Sequence, residues 1–144
     1  MNKGAIQPIL LDTHFWIWFM TGDSQAGSPK LIQLINEKAA SSAIRISVIS
    51  ILEIGMLEVK GRIALPYSCL EWVQKALKAP GFSLENLNPE TAVQSSRLPG
   101  SFRGDPADRI LLAAAAQLGA MLVTKDQAML DYLKKNPIAE YFRF

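Results

Sequence analysis

The chain has 144 residues, of which 49% are hydrophobic and 19% charged, and its formal net charge is +2 at pH 7. This length and apolar content suit one folded domain and argue against a disordered chain. A lone cysteine, Cys69, excludes an internal disulfide, and no apolar run approaches the ~18 residues of a membrane span. We therefore expect a single domain over residues 1–144. The N-terminal apolar run, interrupted by Asp12 and His14, is too short for a signal peptide and favours a cytoplasmic location.

Short apolar runs alternate with helical patterns along the whole chain. The predicted strands are residues 8–12, 44–48, 82–87 and 121–124, with an edge strand at 141–144. The predicted helices are residues 15–20, 28–40, 50–61, 68–81, 89–98, the segment after Asp105, and 127–135. Ser28 with Pro29 marks one helix start, and Asn88 precedes another. This alternation predicts an α/β fold with a mainly parallel sheet and helices on both faces.

Four acidic residues lie where strands end or helices begin. Asp12 follows the first strand, Asp126 follows the strand at 121–124, and Asp108 lies in the first turn of the helix before that strand. Glu53 lies in an apolar helix after the second strand. Strand ends and helix starts share one edge of such a sheet, so at least three of these carboxylates should meet there. A divalent cation relieves their repulsion, and Mg²⁺ or Mn²⁺ suits oxygen ligands.

Each acid also has a structural interpretation. Asp105 followed by Pro106 is typical of a helix start, and we expect Asp105 to act mainly as an N-cap. A capping role remains open for Asp126, and a turn role for Asp12. Glu53 borders an apolar stripe, which predicts burial of the stripe and partial burial of the glutamate. The stripe consists of Ile49, Leu52, Met56 and Val59.

The aromatic run at residues 15–20 is predicted to be helical, with Phe15 and Phe19 in the core. Trp16 and Trp18 point in different directions on such a helix, so one of them is expected to stay accessible to a partner. His14 is interpreted as structural or as facing a substrate. Roles as phosphate contacts or as ordinary surface charges remain open for three basic residues near the acids, which are Arg103, Arg109 and Lys125.

Four segments together resemble one known family. They are LLDTH (10–14), SILEIG (50–55), GDPADRILLAAA (104–115) and LVTKD (122–126). In this order and spacing they are similar to the PIN-domain family, and within it to the VapC-type toxins of toxin–antitoxin pairs. The resemblance covers nearly the whole chain. It implies a three-layer α/β/α fold, a Mg²⁺- or Mn²⁺-dependent endoribonuclease, a homodimer, and a small antitoxin protein that occludes the site.

Carried over by position, the resemblance assigns catalysis and metal binding to Asp12, Glu53, Asp108 and Asp126. Asp105 and Thr124 are auxiliary positions. The ion would activate a water that attacks the phosphodiester and would stabilise the departing oxygen. Without these five acids, eight acidic residues remain against 15 basic ones, so the rest of the chain is net positive and suits RNA.

Two other classes of function are the alternatives to a nuclease. A phosphatase with an aspartyl nucleophile also begins with an aspartate after the first strand, but it usually has a second acid two residues later, where this chain has His14. A non-catalytic RNA- or protein-binding module would not need four acids at strand ends. Metal-dependent RNA cleavage without a covalent phosphoenzyme distinguishes the three.

Overall fold

Five strands form one sheet in which every neighbouring pair is parallel. The computed structural model describes residues 6–144, so the first residues of the N-terminal run lie outside the described part. The strands are β1 (Ile9–Leu11), β2 (Ile44–Ser47), β3 (Phe82–Glu85), β4 (Met121–Val123) and β5 (Glu140–Tyr141). Their order across the sheet is β3-β2-β1-β4-β5. The terminal strand therefore lies at an edge, as predicted, although it begins one residue earlier.

Helices connect the strands and cover the sheet. Within residues 6–144 they are α1 (Thr13–Thr21), α2 (Pro29–Ala40), α3 (Val48–Val59), α4 (Cys69–Leu77), α5 (Pro89–Ser95), α6 (Pro106–Leu118) and α7 (Gln127–Lys135). A short 3-10 turn at Ser24–Ala26 was not predicted. No helix in this part of the chain has the length and apolar character needed to cross a membrane.

The side chains of the central strand alternate between two hydrophobic cores, one on each face of the sheet. Ile9 and Leu11 pack with residues of α1, α2, α3 and α4, whereas Leu10 packs with residues of α6 and α7. All three are fully buried. The sheet therefore lies between two helical layers, which confirms the predicted α/β/α architecture.

The strand order also determines where a crevice forms. From β1 the chain builds β2 and β3 on one side, then returns past β1 to build β4 and β5 on the other. The segments that follow the neighbouring strands β1 and β4 thus diverge. In parallel sheets such a switch point opens a ligand crevice at the carboxyl ends of the strands.

Most helix starts follow the capping signals in the sequence. Ser28 accepts a hydrogen bond from the Leu31 N–H at 3.4 Å, and Asn88 accepts one from the Thr91 N–H at 2.8 Å. Some helices end earlier than predicted: the helix at 89–98 stops at Ser95, and the helix at 68–81 stops at Leu77. The chain then turns into β3 through Gly81, whose φ is +85° and whose α-carbon packs so close to the α2 backbone that a side chain would collide with it.

The aromatic run forms α1 and is mostly buried. Phe15 is in the core as predicted, while Phe19 is half-buried and stacks on Phe82 at 6.1 Å between ring centroids. Trp16 is fully buried against Trp72 at 5.5 Å. The accessible tryptophan is therefore Trp18, which is half-buried.

The predicted burial of the apolar stripe on α3 is wrong. Leu52, Met56 and Val59 are 57%, 49% and 86% exposed. Ile49 is half-buried against the core on the α6 face. The fully buried residues of α3 are instead Ser50 and Ile54. Because α3 is apolar on nearly every side, helical periodicity alone does not determine which face is buried.

Candidate active site

Asp12 directly follows β1, at the switch point between β1 and β4. It is the N-cap of α1, and its Oδ1 accepts a hydrogen bond from the Thr13 N–H at 2.6 Å. Its Oδ2 accepts a second one from the Thr124 hydroxyl, also at 2.6 Å. Only 8% of Asp12 is exposed. The carboxylate is therefore held in one orientation by groups from both strand ends.

Glu53 reaches the same crevice from α3. The buried Thr13 hydroxyl donates a hydrogen bond to Glu53 Oε1, and its oxygen lies 2.8 Å from the Ser50 hydroxyl. Ser50 and Glu53 are three residues apart and so lie on one face of the helix. Glu53 is half-buried, as predicted. Thr13 thus links α1 to α3 directly beside Asp12.

The start of α6 supplies two further carboxylates. Asp105 is the N-cap and accepts a hydrogen bond from the Asp108 N–H at 3.0 Å, with Pro106 in the first turn. This confirms the predicted cap. One carboxylate oxygen each of Glu53, Asp105 and Asp108 lies within 4.8 Å of the others. Asp105 therefore belongs to the three-carboxylate cluster found among residues 6–144.

Asp126 completes the acidic edge from the segment after β4. It is the N-cap of α7, with its Oδ1 accepting from the Met129 N–H at 2.9 Å. Its own N–H donates to the Thr124 hydroxyl at 3.0 Å. Thr124 thus binds both Asp12 and Asp126, which matches its expected position beside the acids. Asp126 is exposed and caps a helix, which confirms the capping role, whereas its role in binding a metal stays a prediction.

The carboxylates repel one another and are partly removed from water. Burial, followed by the charges of Asp105, Asp12, Asp126 and Glu53, raises the pKa of Asp108 to about 7. Burial also raises the pKa values of Asp12 and Glu53 above the usual range, although hydrogen bonds from threonines oppose this. Every one of the five acids therefore contributes to one electrostatic site.

This arrangement fits a divalent cation. The donors are carboxylate oxygens, which Mg²⁺ and Mn²⁺ prefer, and three of them converge within the span of one ion. A positive charge there would offset the repulsion that raises the pKa of Asp108. The residues placed to hold it are Glu53, Asp105 and Asp108, with Asp12 and Asp126 beside them.

The basic residues near the acids have different surroundings. Arg109 donates hydrogen bonds to the backbone carbonyls of Ser95 and Phe102 at 3.2 and 2.6 Å. It thereby connects the loop between α5 and α6 to α6. Arg103 is exposed. Lys125 is exposed but hydrogen-bonded to the Gln25 carbonyl at 2.6 Å. Arg109 is therefore a structural residue, while Arg103 and Lys125 remain at the surface.

Sequence reasoning missed two residues of the site, Thr13 and Ser50. Both are fully buried polar side chains. The only signals for them are a hydroxyl directly after Asp12 and a serine three residues before Glu53. Such hydroxyls are common at helix starts, so the sequence alone did not distinguish them from caps.

A three-layer α/β/α domain with acids at its switch point belongs to the class of α/β domains that bind ligands beyond the carboxyl ends of their strands. The comparisons define it more closely. The family model for the PIN domain matches residues 9–135. The chain is 30% identical over 132 residues to Ribonuclease VapC22 of Mycobacterium tuberculosis, covering 90% of this chain and 95% of that one. This protein belongs to the PIN domain family, which confirms the resemblance seen in the sequence.

A solved structure agrees with the fold. The crystal structure of FitAcB from Neisseria gonorrhoeae aligns with a TM-score of 0.58 and 17% identity, over 94% of this chain and 96% of that one. At this identity the likeness concerns the fold alone. It supports the three-layer architecture around the parallel sheet.

Proposed function

We propose that this protein is a metal-dependent endoribonuclease, the toxin of a toxin–antitoxin pair, with Mg²⁺ or Mn²⁺ as its cofactor. The observation that carries the proposal is the convergence of the Glu53, Asp105 and Asp108 carboxylates beside Asp12. Its support from relatives is the family membership and the ribonuclease that the chain resembles over nearly its whole length.

The chain's own residues prepare the site for this reaction. Thr13 and Thr124 orient Asp12, and Thr13 also orients Glu53, so these oxygens are fixed before any ligand arrives. With its pKa raised to about 7, Asp108 would exchange a proton near neutral pH in the absence of a cation and would have to be ionised to act as a charged ligand. When bound, the cation would supply charge that activates a water and stabilises the departing oxygen.

The proposed partners follow from the same reasoning. The substrate is RNA, whose phosphates suit a chain that is net positive outside the acidic site. A cognate antitoxin protein and a homodimer belong to the proposal through the family resemblance, as does action in the cytoplasm. Light scattering on the purified protein, alone and with the antitoxin, measures the two assembly states.

Isosteric substitution of the site acids tests the activity. We expect Asp12→Asn, Glu53→Gln and Asp108→Asn each to lower RNA cleavage by at least about 100-fold with Mg²⁺ or Mn²⁺. The shape of each side chain is kept, so each variant should still fold. Asp131→Asn, an exposed acid on α7, is the matched control and should retain full activity.

Two outcomes would contradict the proposal. Full cleavage by all three site variants would place catalysis elsewhere. A covalent phosphate on Asp12, detected by mass spectrometry after reaction with a phosphomonoester, would support the aspartyl-nucleophile phosphatase instead. Cleavage by the wild type must also stop in EDTA, since the proposed chemistry needs the cation.

A further inference from the structure

Beside the acidic site stands a group of aromatic and basic side chains that the proposed chemistry does not use. It consists of His14, Trp18, Lys125 and Phe144, and we call it the aromatic rim. His14 and Trp18 lie one turn apart on α1, with ring centroids 6.1 Å apart and planes tilted by 49°. Because Asp12 is the N-cap of α1, His14 lies in the first turn of the helix, two residues from that carboxylate.

The rim touches the site at both ends. His14 is exposed and lies within electrostatic range of Asp12 and Glu53. Lys125 directly precedes Asp126 in the chain. The rim therefore borders the carboxylates on the α1 side and on the β4 side of the crevice.

Lys125 joins the two halves of the rim. Its Nζ lies 4.8 Å from the centre of the Phe144 ring and 5.9 Å from that of Trp18, and it is held by the Gln25 carbonyl. Phe144 is 52% exposed even though its ring packs against Phe15 at 6.2 Å. The result is an ordered ammonium group between two rings that both remain accessible to solvent.

We propose that the aromatic rim binds unpaired nucleotides of the RNA next to the phosphodiester bond that is cleaved. Aromatic faces stack on bases of any sequence, and an ordered ammonium attracts the adjoining phosphate. Bases within an A-form helix are stacked on one another and offer no free face. This inference rests on the proposed function and extends it to the residues that would hold the RNA beside the acidic site.

Binding without cleavage tests the rim independently of the active site. The probe is a fluorescein-labelled, unstructured RNA of about twelve nucleotides, titrated with the full chain in EDTA. We expect Phe144→Ala to weaken binding by about 5- to 100-fold, as loss of one stacked base does. Trp18→Leu should act similarly, and Trp18→Phe, which keeps a ring, should restore most of the affinity.

Lys125 provides a second, electrostatic readout. Lys125→Met keeps the aliphatic stem but removes the charge, so the slope of log affinity against log salt should fall by about 0.7. In cleavage assays with Mn²⁺, Phe144→Ala should raise KM with little change in kcat, because the rim holds RNA but does no chemistry. A ring that merely supported the fold would not give this split.

The chain offers a matched control for an exposed ring next to a lysine. Tyr67 is 45% exposed, and the Lys75 Nζ lies 4.4 Å from the centre of its ring. Tyr67 lies just before α4 and Lys75 lies within it. This helix contributes no residue to the acidic site. Tyr67→Ala should bind the RNA as tightly as the wild type. Melting curves of all variants confirm that they are folded.

Several outcomes overturn the inference. Unchanged single-strand affinity in Phe144→Ala and Trp18→Leu would show that the rim does not bind RNA. An equal loss of affinity for a blunt RNA duplex would contradict a role in unpaired bases. Loss of antitoxin binding with intact RNA binding would make the rim a protein-docking surface. If Asp108→Asn cleaves normally while the rim variants lose binding, the proposed site fails and the rim stands.

Discussion

Asp108 is the residue on which the charges of the site act most strongly. Its carboxylate is half-buried, and the four other acids all raise its pKa. Among residues 6–144 its carboxylate accepts no hydrogen bond, and its backbone N–H donates to Asp105. Without a cation the negative charge of ionised Asp108 is therefore poorly compensated. We expect this charge to lower the stability of the metal-free folded protein as the pH rises through about 7.

We predict that Asp108→Asn makes the metal-free protein more stable at about pH 8. The pKa is about 7 in the folded state and about 4 when unfolded, so the folded state binds the proton more tightly. This contribution is fully present below about pH 4 and is lost as the pH rises through about 7. After allowance for solvent screening, the gain should be on the order of 2 kcal/mol.

Thermal unfolding in EDTA at about pH 5 and about pH 8 measures this effect. The advantage of Asp108→Asn over the wild type should be larger at the higher pH. Asp131→Asn removes an exposed acid on α7 and should show no such dependence. A variant that is less stable than the wild type at both pH values would mean that Asp108 stabilises the empty fold.

A second prediction at this scale concerns Asp105, which caps α6 and also belongs to the three-carboxylate cluster. Asparagine caps a helix about as well as aspartate. We therefore predict that Asp105→Asn keeps the stability of the wild type and loses much less cleavage than Asp108→Asn. Asp105→Ala should cost about 1 kcal/mol, because the acceptor for the Asp108 N–H is gone. Equal loss of cleavage in Asp105→Asn and Asp108→Asn would make Asp105 a principal ligand.

Some residues of the site could be placed from the sequence and others could not. Asp12 and Asp126 could be placed in advance, because a strand that ends in an acid fixes which edge of the sheet the acid occupies. The short distance between the Asp105 and Glu53 carboxylates could not be predicted, because it depends on how α3 packs against α6. Thr13 and Ser50 escaped notice for the same reason, as their hydrogen bonds join elements that are distant in sequence.

At the scale of elements, the site depends on one hydroxyl that joins two strand ends. Thr124 follows β4, donates to Asp12 after β1, and accepts from the Asp126 N–H at the start of α7. We predict that Thr124→Val lowers stability by about 1–3 kcal/mol, because it leaves buried polar groups without partners. Cleavage should fall as well, since Asp12 and Asp126 lose their common anchor.

Thr124→Ser is the rescue variant for this prediction. It restores the hydroxyl but not the methyl group, so both hydrogen bonds can form again and most of the cleavage should return. Denaturant unfolding and cleavage rates are measured in parallel on both variants. If Thr124→Val cleaves RNA as well as the wild type, the hydroxyl does not position the carboxylates.

The packed faces of helices were predictable only where the sequence is amphipathic. Most caps could be read directly, because a side chain such as that of Ser28 or Asn88 acts on its own helix. On α3 the same approach failed. Its exposed stripe is as apolar as its buried face, so the choice between them is made by tertiary contacts such as Ser50 with Thr13.

At the scale of the whole molecule, two features of the fold meet at the switch point: diverging chain segments and helix starts that carry carboxylates. The chain must diverge after β1 and β4, and the starts of α1, α6 and α7 bring carboxylates there as their N-caps or in their first turn. Each acid thus stabilises a helix while adding to the repulsion at the site. The same negative charges would attract a cation. A cation that binds only to the folded state would stabilise the whole domain.

We therefore predict that Mn²⁺ raises the melting temperature of the wild type. A ligand at about one hundred times its Kd adds about 2.7 kcal/mol by mass action. For a domain of this size that corresponds to a shift on the order of 5–10 °C. The shift should be much smaller for Asp108→Asn and for Glu53→Gln, because each removes a carboxylate from the cluster.

Differential scanning calorimetry in EDTA and in increasing Mn²⁺ measures the shift. The wild type should start below Asp108→Asn in EDTA at about pH 8 and overtake it as Mn²⁺ is added, because the charges that destabilise the empty site are those that bind the ion. Asp131→Asn should follow the wild type at every concentration. Parallel curves for the wild type and Asp108→Asn would show that Mn²⁺ acts elsewhere on the protein, and that the acidic crevice is not its site.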